Sequence, residues 1–299
     1  MKKLLGYLLA LTLGLGLLSG CAPKAEGEEF IIIDGDFAEM NIFTHMAKLL
    51  IEENTDYRVK IQPTMAVTLA YDQIRTGKMD LRLSYDGTLM ATLLQLDLST
   101  KPDGLTVYEY AQQEGRKAGV ELLGKLGFEN TYAVAVTKEV AQQYGLTKVS
   151  QLIPIADQLI FGAEHQFFDE EGTVRFKPFT TFYGLEFEDG ISMDLTLKYA
   201  AMASGNIDVT LVYGTDGLNL KYELVVLDDD WEFFPEYFGA YLVRTNLDEE
   251  FPGVREALEK LSGAFTLEST IALNYQVDVE DKDPAQVART YLKSKGLIK

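Results

Sequence analysis

The chain has 299 residues, 47% of them hydrophobic, with 46 acidic against 27 basic side chains and a formal net charge of −19. That acidity excludes nucleic acid and an anionic membrane surface as electrostatic partners, because both call for clustered Lys and Arg. It suits the solubility of an exported protein and mildly favours cationic ligands, and the length accommodates two lobes of ordinary size.

Residues 1–20 combine Lys2 and Lys3, an apolar run and a small-residue end, the pattern of a secretory signal peptide rather than a transmembrane helix. Leu18, Ser19, Gly20 and Cys21 resemble the lipobox of bacterial lipoproteins, which implies that Cys21 is acylated and begins the mature chain. Each buried CH₂ of such an anchor contributes about 0.8 kcal/mol, and more than one chain holds well. The expected location is the outer face of the cytoplasmic membrane. Cys21 is the single cysteine, so an internal disulfide is excluded. Residues 22–29, APKAEGEE, are polar without hydrophobic period and read as a tether.

FIIID at 30–34 is a compact apolar run bounded by Asp and Gly, as in a fully buried parallel strand. The periodicity predicts a helix over 38–52 with Ile42, Met46, Leu49 and Leu50 on one face, then a strand over 57–63 halted by Pro63. A helix near 67–76, a strand over 79–84 and a helix carrying Leu89, Leu93 and Leu94 follow. In the second half YAVAV at 132–136 reads as a strand, KEVAQQYGL as a short helix ending near Gly145, and QLIFG at 158–162 as a strand. An amphipathic helix is predicted over 193–205, strands over 207–213 and 224–230, a return crossing over 238–244, and two terminal helices. This alternation is the α/β signature. Two passages, near 129–132 and 236–240, divide the chain into a discontinuous first lobe, 30–130 plus 238–299, and a continuous second lobe, 131–237.

Four tyrosines sit in distinctive segments: Tyr85 in SYDGT, Tyr132 in ENTYA, Tyr213 in VYGTDG and Tyr237 in FFPEY. With 16 Tyr and 16 Phe in the chain, most aromatics fill core. These four stand at strand ends or at turns bounded by Gly, Asp or Pro, where α/β sheets present ligand contacts. In this order and separation the segments resemble the substrate-binding lipoproteins of ABC importers for glycine betaine, choline and related quaternary amines. The resemblance spans nearly the whole mature chain. It implies a two-lobed periplasmic-binding-protein-like fold of type II, a hinged trap with ligand between the lobes, and a cage of the four tyrosines around a trimethylammonium group. Such a cation has no N–H to donate, so aromatic faces hold it, each contributing about 0.5–2 kcal/mol. The implied partners are a small cationic ligand and an ABC permease with its ATPase, the protein itself being a monomer without cofactor or metal.

The resemblance assigns Thr88 a hydrogen bond to the ligand's polar tail; the same hydroxyl also suits a helix N-cap. Betaine-specific relatives clamp a carboxylate with a lysine and an arginine, by charge-assisted bonds. At the corresponding positions this chain has Gly35 and Glu170, with Arg175 and Lys177 as nearby substitutes. The missing lysine shifts the expected ligand from glycine betaine towards choline, with carnitine or a polyamine-like cation behind it. Asp86 points the same way by adding Coulomb attraction, although Asp before Gly is also common in tight turns. Met40 replaces a glutamine frequent in relatives and offers a thioether contact.

Two histidines, His45 and His165, fall in different lobes and form no metal-ligand spacing, and neither a GxSxG elbow nor a GxxxxGK loop occurs. Asp228, Asp229 and Asp230 lack the spaced ligands of a calcium loop and read as a turn. The expectation is therefore a binding protein, either delivering a solute to a permease or reporting it to a receptor, and not an enzyme.

Overall fold

The computed structural model describes residues 29–96, 100–169, 173–195 and 197–299. The leader, Cys21, tether residues 22–28 and Glu170 lie outside the described residues. Ten strands are found among those described: β1 (Glu29–Ile33), β2 (Arg58–Gln62), β3 (Leu81–Tyr85), β4 (Val120–Leu122), β5 (Tyr132–Val136), β6 (Ile160–Glu164), β7 (Asp189–Met193), β8 (Val209–Tyr213), β9 (Val225–Val226) and β10 (Gly239–Arg244). They form two five-stranded sheets of order β2-β1-β3-β10-β4 and β7-β6-β8-β5-β9. Each sheet has three parallel strands followed by a strand set against them: β10 is antiparallel to β3 and β4, and β5 to β8 and β9. This is the two-lobed α/β architecture expected from the strand–helix alternation.

The helix Ala38–Asn54 anchors the first lobe. Its face Ile42, Phe43, Met46, Ala47, Leu50 and Ile51 is wholly buried at helical spacing. Phe43 meets Phe128 and Phe265 with ring centroids 5.0 and 4.7 Å apart. Burial of side chains this size stabilises by about 1.5–3 kcal/mol each. The second lobe is built around Phe161, Phe167 and Phe179, with Phe161 centred 5.1 Å from both Phe176 and Phe187.

Several elements differ from their predicted form. The helix expected over 193–205 begins only at Leu197, because Met193 pairs with Glu164 and ends β7. β7 itself carries no apolar alternation, being a largely exposed edge strand, and so left no signal. The helix expected after YDGT, carrying Leu89, Leu93 and Leu94, is a π-helical segment, Thr88–Leu93, a geometry that recurs at functional sites. Of the strand predicted over 224–230 only Val225–Val226 forms a strand, with Asp228 adding an isolated parallel bridge to Lys148. Asp229 instead accepts from the Tyr183 hydroxyl and the Phe234 amide, and Asp230 from Ser150 N and Oγ. The helices Val107–Lys117, Phe176–Tyr183 and Leu267–Asp278 were not predicted.

The two sheets are joined by neighbouring backbone segments. Leu126 N bonds Gly239 O at 2.9 Å, Asn130 N bonds Tyr237 O at 3.0 Å, and Thr131 Oγ1 bonds Pro235 O at 2.9 Å. Asp86, fully buried, fastens this hinge to the end of β3: its Oδ1 accepts from Gly87 N at 2.7 Å and Phe238 N at 2.9 Å. Its Oδ2 has no hydrogen-bond partner. Burial raises the carboxyl pKa from 3.8 to about 7, outweighing the two amides and Lys125, which lower it.

The folded state therefore holds a proton that the unfolded chain has released between about pH 4 and 7, and stability falls as pH rises through that window. Asp86→Asn, which keeps an acceptor for both amides, is expected to be more stable than the parent by about 4 kcal/mol at pH 8, with the gap closing near pH 4. Urea unfolding at the two pH values measures it; a gap independent of pH would show Asp86 ionised in the fold.

Candidate functional site

Strand register brings the four tyrosines into two pairs. Tyr132 opens β5 and lies directly opposite Tyr213, which closes β8. Their ring centroids are 5.0 Å apart, at 34°, and their hydroxyls 3.4 Å apart. Tyr85 closes β3 opposite Gly239, and Tyr237, two residues before that glycine, stacks on it at 4.9 Å and 21°. A Cβ on Gly87 would lie 2.4 Å from the Tyr237 ring, so only glycine lets the ring rest on this backbone. Thr88 Oγ1 is 2.5 Å from the Tyr237 hydroxyl, so Thr88 holds the Tyr237 ring in place.

Burial is the leading cause that raises the pKa of all four phenols, and Tyr213 adds to the rise at Tyr237, which places the two pairs within electrostatic reach. The rings stay neutral at physiological pH. Neutral phenols keep the negative ring face that a cation seeks without offering a fixed counter-charge.

A residue that the sequence reading missed stands behind Tyr85. Glu39, fully buried on the first helix, accepts from Tyr85 OH at 2.5 Å, Asn130 Nδ2 at 3.4 Å and Asn274 Nδ2 at 3.2 Å. Thr215 adds a side-chain hydrogen bond from beside Tyr213, and Asn274 Nδ2 also reaches Thr215 O at 2.8 Å. Burial raises the Glu39 pKa and the four hydrogen bonds oppose the rise. One signal was available: Glu39 falls in the helix stripe Glu39, Ile42, Phe43, Met46, where an acid is out of place.

The second lobe has its own buried charge. Glu164 closes β6, and its Oε2 is 3.1 Å from Lys198 Nζ, both side chains being almost entirely out of water. The same ammonium is 5.6 Å from the ring centre of Tyr213. Burial lowers the Lys198 pKa and the Glu164 charge raises it. Neither residue was anticipated, because both lie in segments whose apolar pattern conceals them.

The remaining predicted site residues are placed as follows. Met40 is 5% exposed, in the core cluster that includes Tyr85. A Cβ on Gly35 would lie 2.0 Å from Met40 Cβ and 2.6 Å from its Sδ, so a lysine there requires the loop to move. Arg175 donates to Val174 O at 2.8 Å, and Lys177 is exposed in a surface hollow with Pro178, Thr181 and Phe182. His165 is exposed beside Ser192 Oγ at 2.7 Å, and His45 is half-buried on the first helix.

The chain is 35% identical over 221 residues to the ergothioneine transport permease/ergothioneine binding protein EgtU of Helicobacter pylori, a match covering 74% of this chain but only 39% of that longer one. It is 29% identical over 258 residues to the carnitine transport binding protein OpuCC of Listeria monocytogenes, covering 85% and 83%. A crystal structure described as a glycine betaine/carnitine/choline ABC transporter superposes with a TM-score of 0.84 at 28% identity, covering 91% of this chain and all of the other. Residues 29–294 match the family described as the substrate binding domain of the ABC-type glycine betaine transport system; the chain belongs to that family and is an ABC importer's solute-binding protein, not an enzyme.

Proposed function

We propose that this protein is a lipid-anchored, extracytoplasmic binding protein that holds a quaternary ammonium solute among Tyr85, Tyr132, Tyr213 and Tyr237 and delivers it to a permease. The observation that carries the reading is the pairing of the four rings: stacked Tyr85 and Tyr237 from the first sheet and hinge, opposed Tyr132 and Tyr213 from the second. Closing the lobes completes the cage, so ligand affinity and closure are coupled. Cys21 at the end of the leader is the site of the anchor, and residues 22–29 are the tether.

Choline is favoured over glycine betaine. Support comes from Gly35, where Met40 occupies the space a clamping lysine would need, and from Lys198, whose charge is matched by Glu164. A second reading follows from the 35% identity to the Helicobacter protein: ergothioneine combines a trimethylammonium group with a carboxylate and a ring N–H. Both readings use the same cage.

Calorimetric titration with choline, glycine betaine, carnitine, ergothioneine and a polyamine separates them. Choline or ergothioneine is expected to bind tightest; tight glycine betaine binding with weak choline binding would sink the specificity argument. Tyr132→Ala and Tyr213→Ala are each expected to weaken binding at least tenfold, about 1.4 kcal/mol, in line with the loss of one aromatic face. If both variants bind like the parent, the cage assignment is wrong. Glu39→Ala is expected to lower stability by about 3 kcal/mol, because Tyr85 and Asn274 lose a buried partner, and to weaken binding through Tyr85, whereas Glu39→Gln retains most of both.

A further inference from the structure

β6 and β8 run parallel, with Phe161 opposite Val209 and Gly162 opposite Thr210. Their carboxyl ends therefore coincide, and Glu164 comes to the same edge of the sheet as Tyr213 and its partner Tyr132. Glu164 is 7% exposed and Lys198 fully buried, an arrangement tolerated only because the two are paired. The pair uses one oxygen. Glu164 Oε2 meets Lys198 Nζ at 3.1 Å, while Oε1 is buried and has no hydrogen-bond partner.

An ionised oxygen kept from water without a donor carries its full desolvation penalty. Such an atom at the end of a strand, beside two rings of a binding site, is where a ligand donor recovers that penalty. A second unpartnered acceptor, Asn130 Oδ1, lies two residues from Tyr132. The groups facing Glu164 are Lys198, Tyr132, Tyr199 and Tyr213, with Asp216 acting on the same lysine; the Tyr132 hydroxyl interacts with Glu164 but is engaged with the Tyr213 hydroxyl at 3.4 Å and lies outside hydrogen-bond geometry to Oε1.

We propose that Glu164 Oε1 accepts a hydrogen bond from an O–H or N–H carried by the ligand beyond its trimethylammonium group, with Lys198 holding the carboxylate in position. The inference rests on the quaternary-amine reading above. It makes Glu164 a specificity-determining residue: a hydroxyl or ring N–H completes the site, whereas glycine betaine, whose tail is a carboxylate with no donor, meets a like charge. A site built around a buried acceptor rejects analogues that lack the donor far more strongly than an apolar pocket rejects a missing methylene.

The test is calorimetric titration of the protein with choline, choline O-methyl ether, glycine betaine and ergothioneine. The parent is expected to bind choline at least tenfold more tightly than its methyl ether if the donor is a hydroxyl, or ergothioneine more tightly than both if the donor is a ring N–H. The double variant Glu164→Leu/Lys198→Met removes both buried charges together and so avoids an orphaned lysine; its thermal unfolding transition checks the fold. In it the preference for choline over its methyl ether is expected to shrink to within about threefold. A preference that survives the double variant overturns the role of Glu164 and leaves the cage standing. Glycine betaine binding most tightly, and losing that affinity in Lys198→Met, overturns it in favour of a carboxylate clamp at Lys198. Failure of all four compounds to bind the parent overturns both this inference and the quaternary-amine reading.

Discussion

Glu39 is the group on which the geometry between the lobes depends. Its carboxyl joins the first helix to the end of β3 through Tyr85, to the hinge through Asn130, to the last long helices through Asn274, and to the second lobe through Thr215. A carboxyl removed from water is tolerated only where donors replace the water, and those donors lie from 46 to 235 residues away from Glu39 along the chain. The network is therefore a condition on tertiary structure: if one lobe shifts, the buried acid loses partners. Tyr85 is oriented by this network and in turn supports Tyr237, so one half of the aromatic site follows from one buried acid.

The other half follows from strand pairing. Tyr132 and Tyr213 face one another because β5 and β8 are antiparallel in a register that opposes those two positions, and a slip of one residue would turn one ring to the other side of the sheet. The hinge supplies the remaining ring, with Gly87 giving Tyr237 room and Asp86 tying the segment to β3. Three buried acids, Glu39, Asp86 and Glu164, thus lie around or behind the rings. Each has a definite structural partner: the Tyr85 hydroxyl for Glu39, the hinge amides for Asp86 and the Lys198 ammonium for Glu164.

What could be read along the chain was what is local or periodic. The strands FIIID, YAVAV and IDVTLVY announced themselves by short apolar runs, and the tyrosines by the turn residues beside them. Elements with weak local signals did not: β7 is an edge strand with little to bury, and Phe176–Tyr183 places Pro178 in its first turn, where proline is tolerated although it reads as a breaker. Glu39 and the Glu164–Lys198 pair were hidden for a different reason. A charged residue in an apolar stripe acquires meaning only when its partners are known, and those partners are distant in sequence.

By itself, then, the sequence determined the α/β alternation, the segments that carry the tyrosines, and the leader-like amino terminus, because each depends on residues within a few positions of one another. Tertiary structure decided how the rings pair, that Met40 fills the space beside Gly35, that Asp86 serves the hinge, and that Glu164 keeps one oxygen unmatched. These depend on register and on the approach of separate lobes, and burial alone converts an ordinary acid into one whose every partner matters.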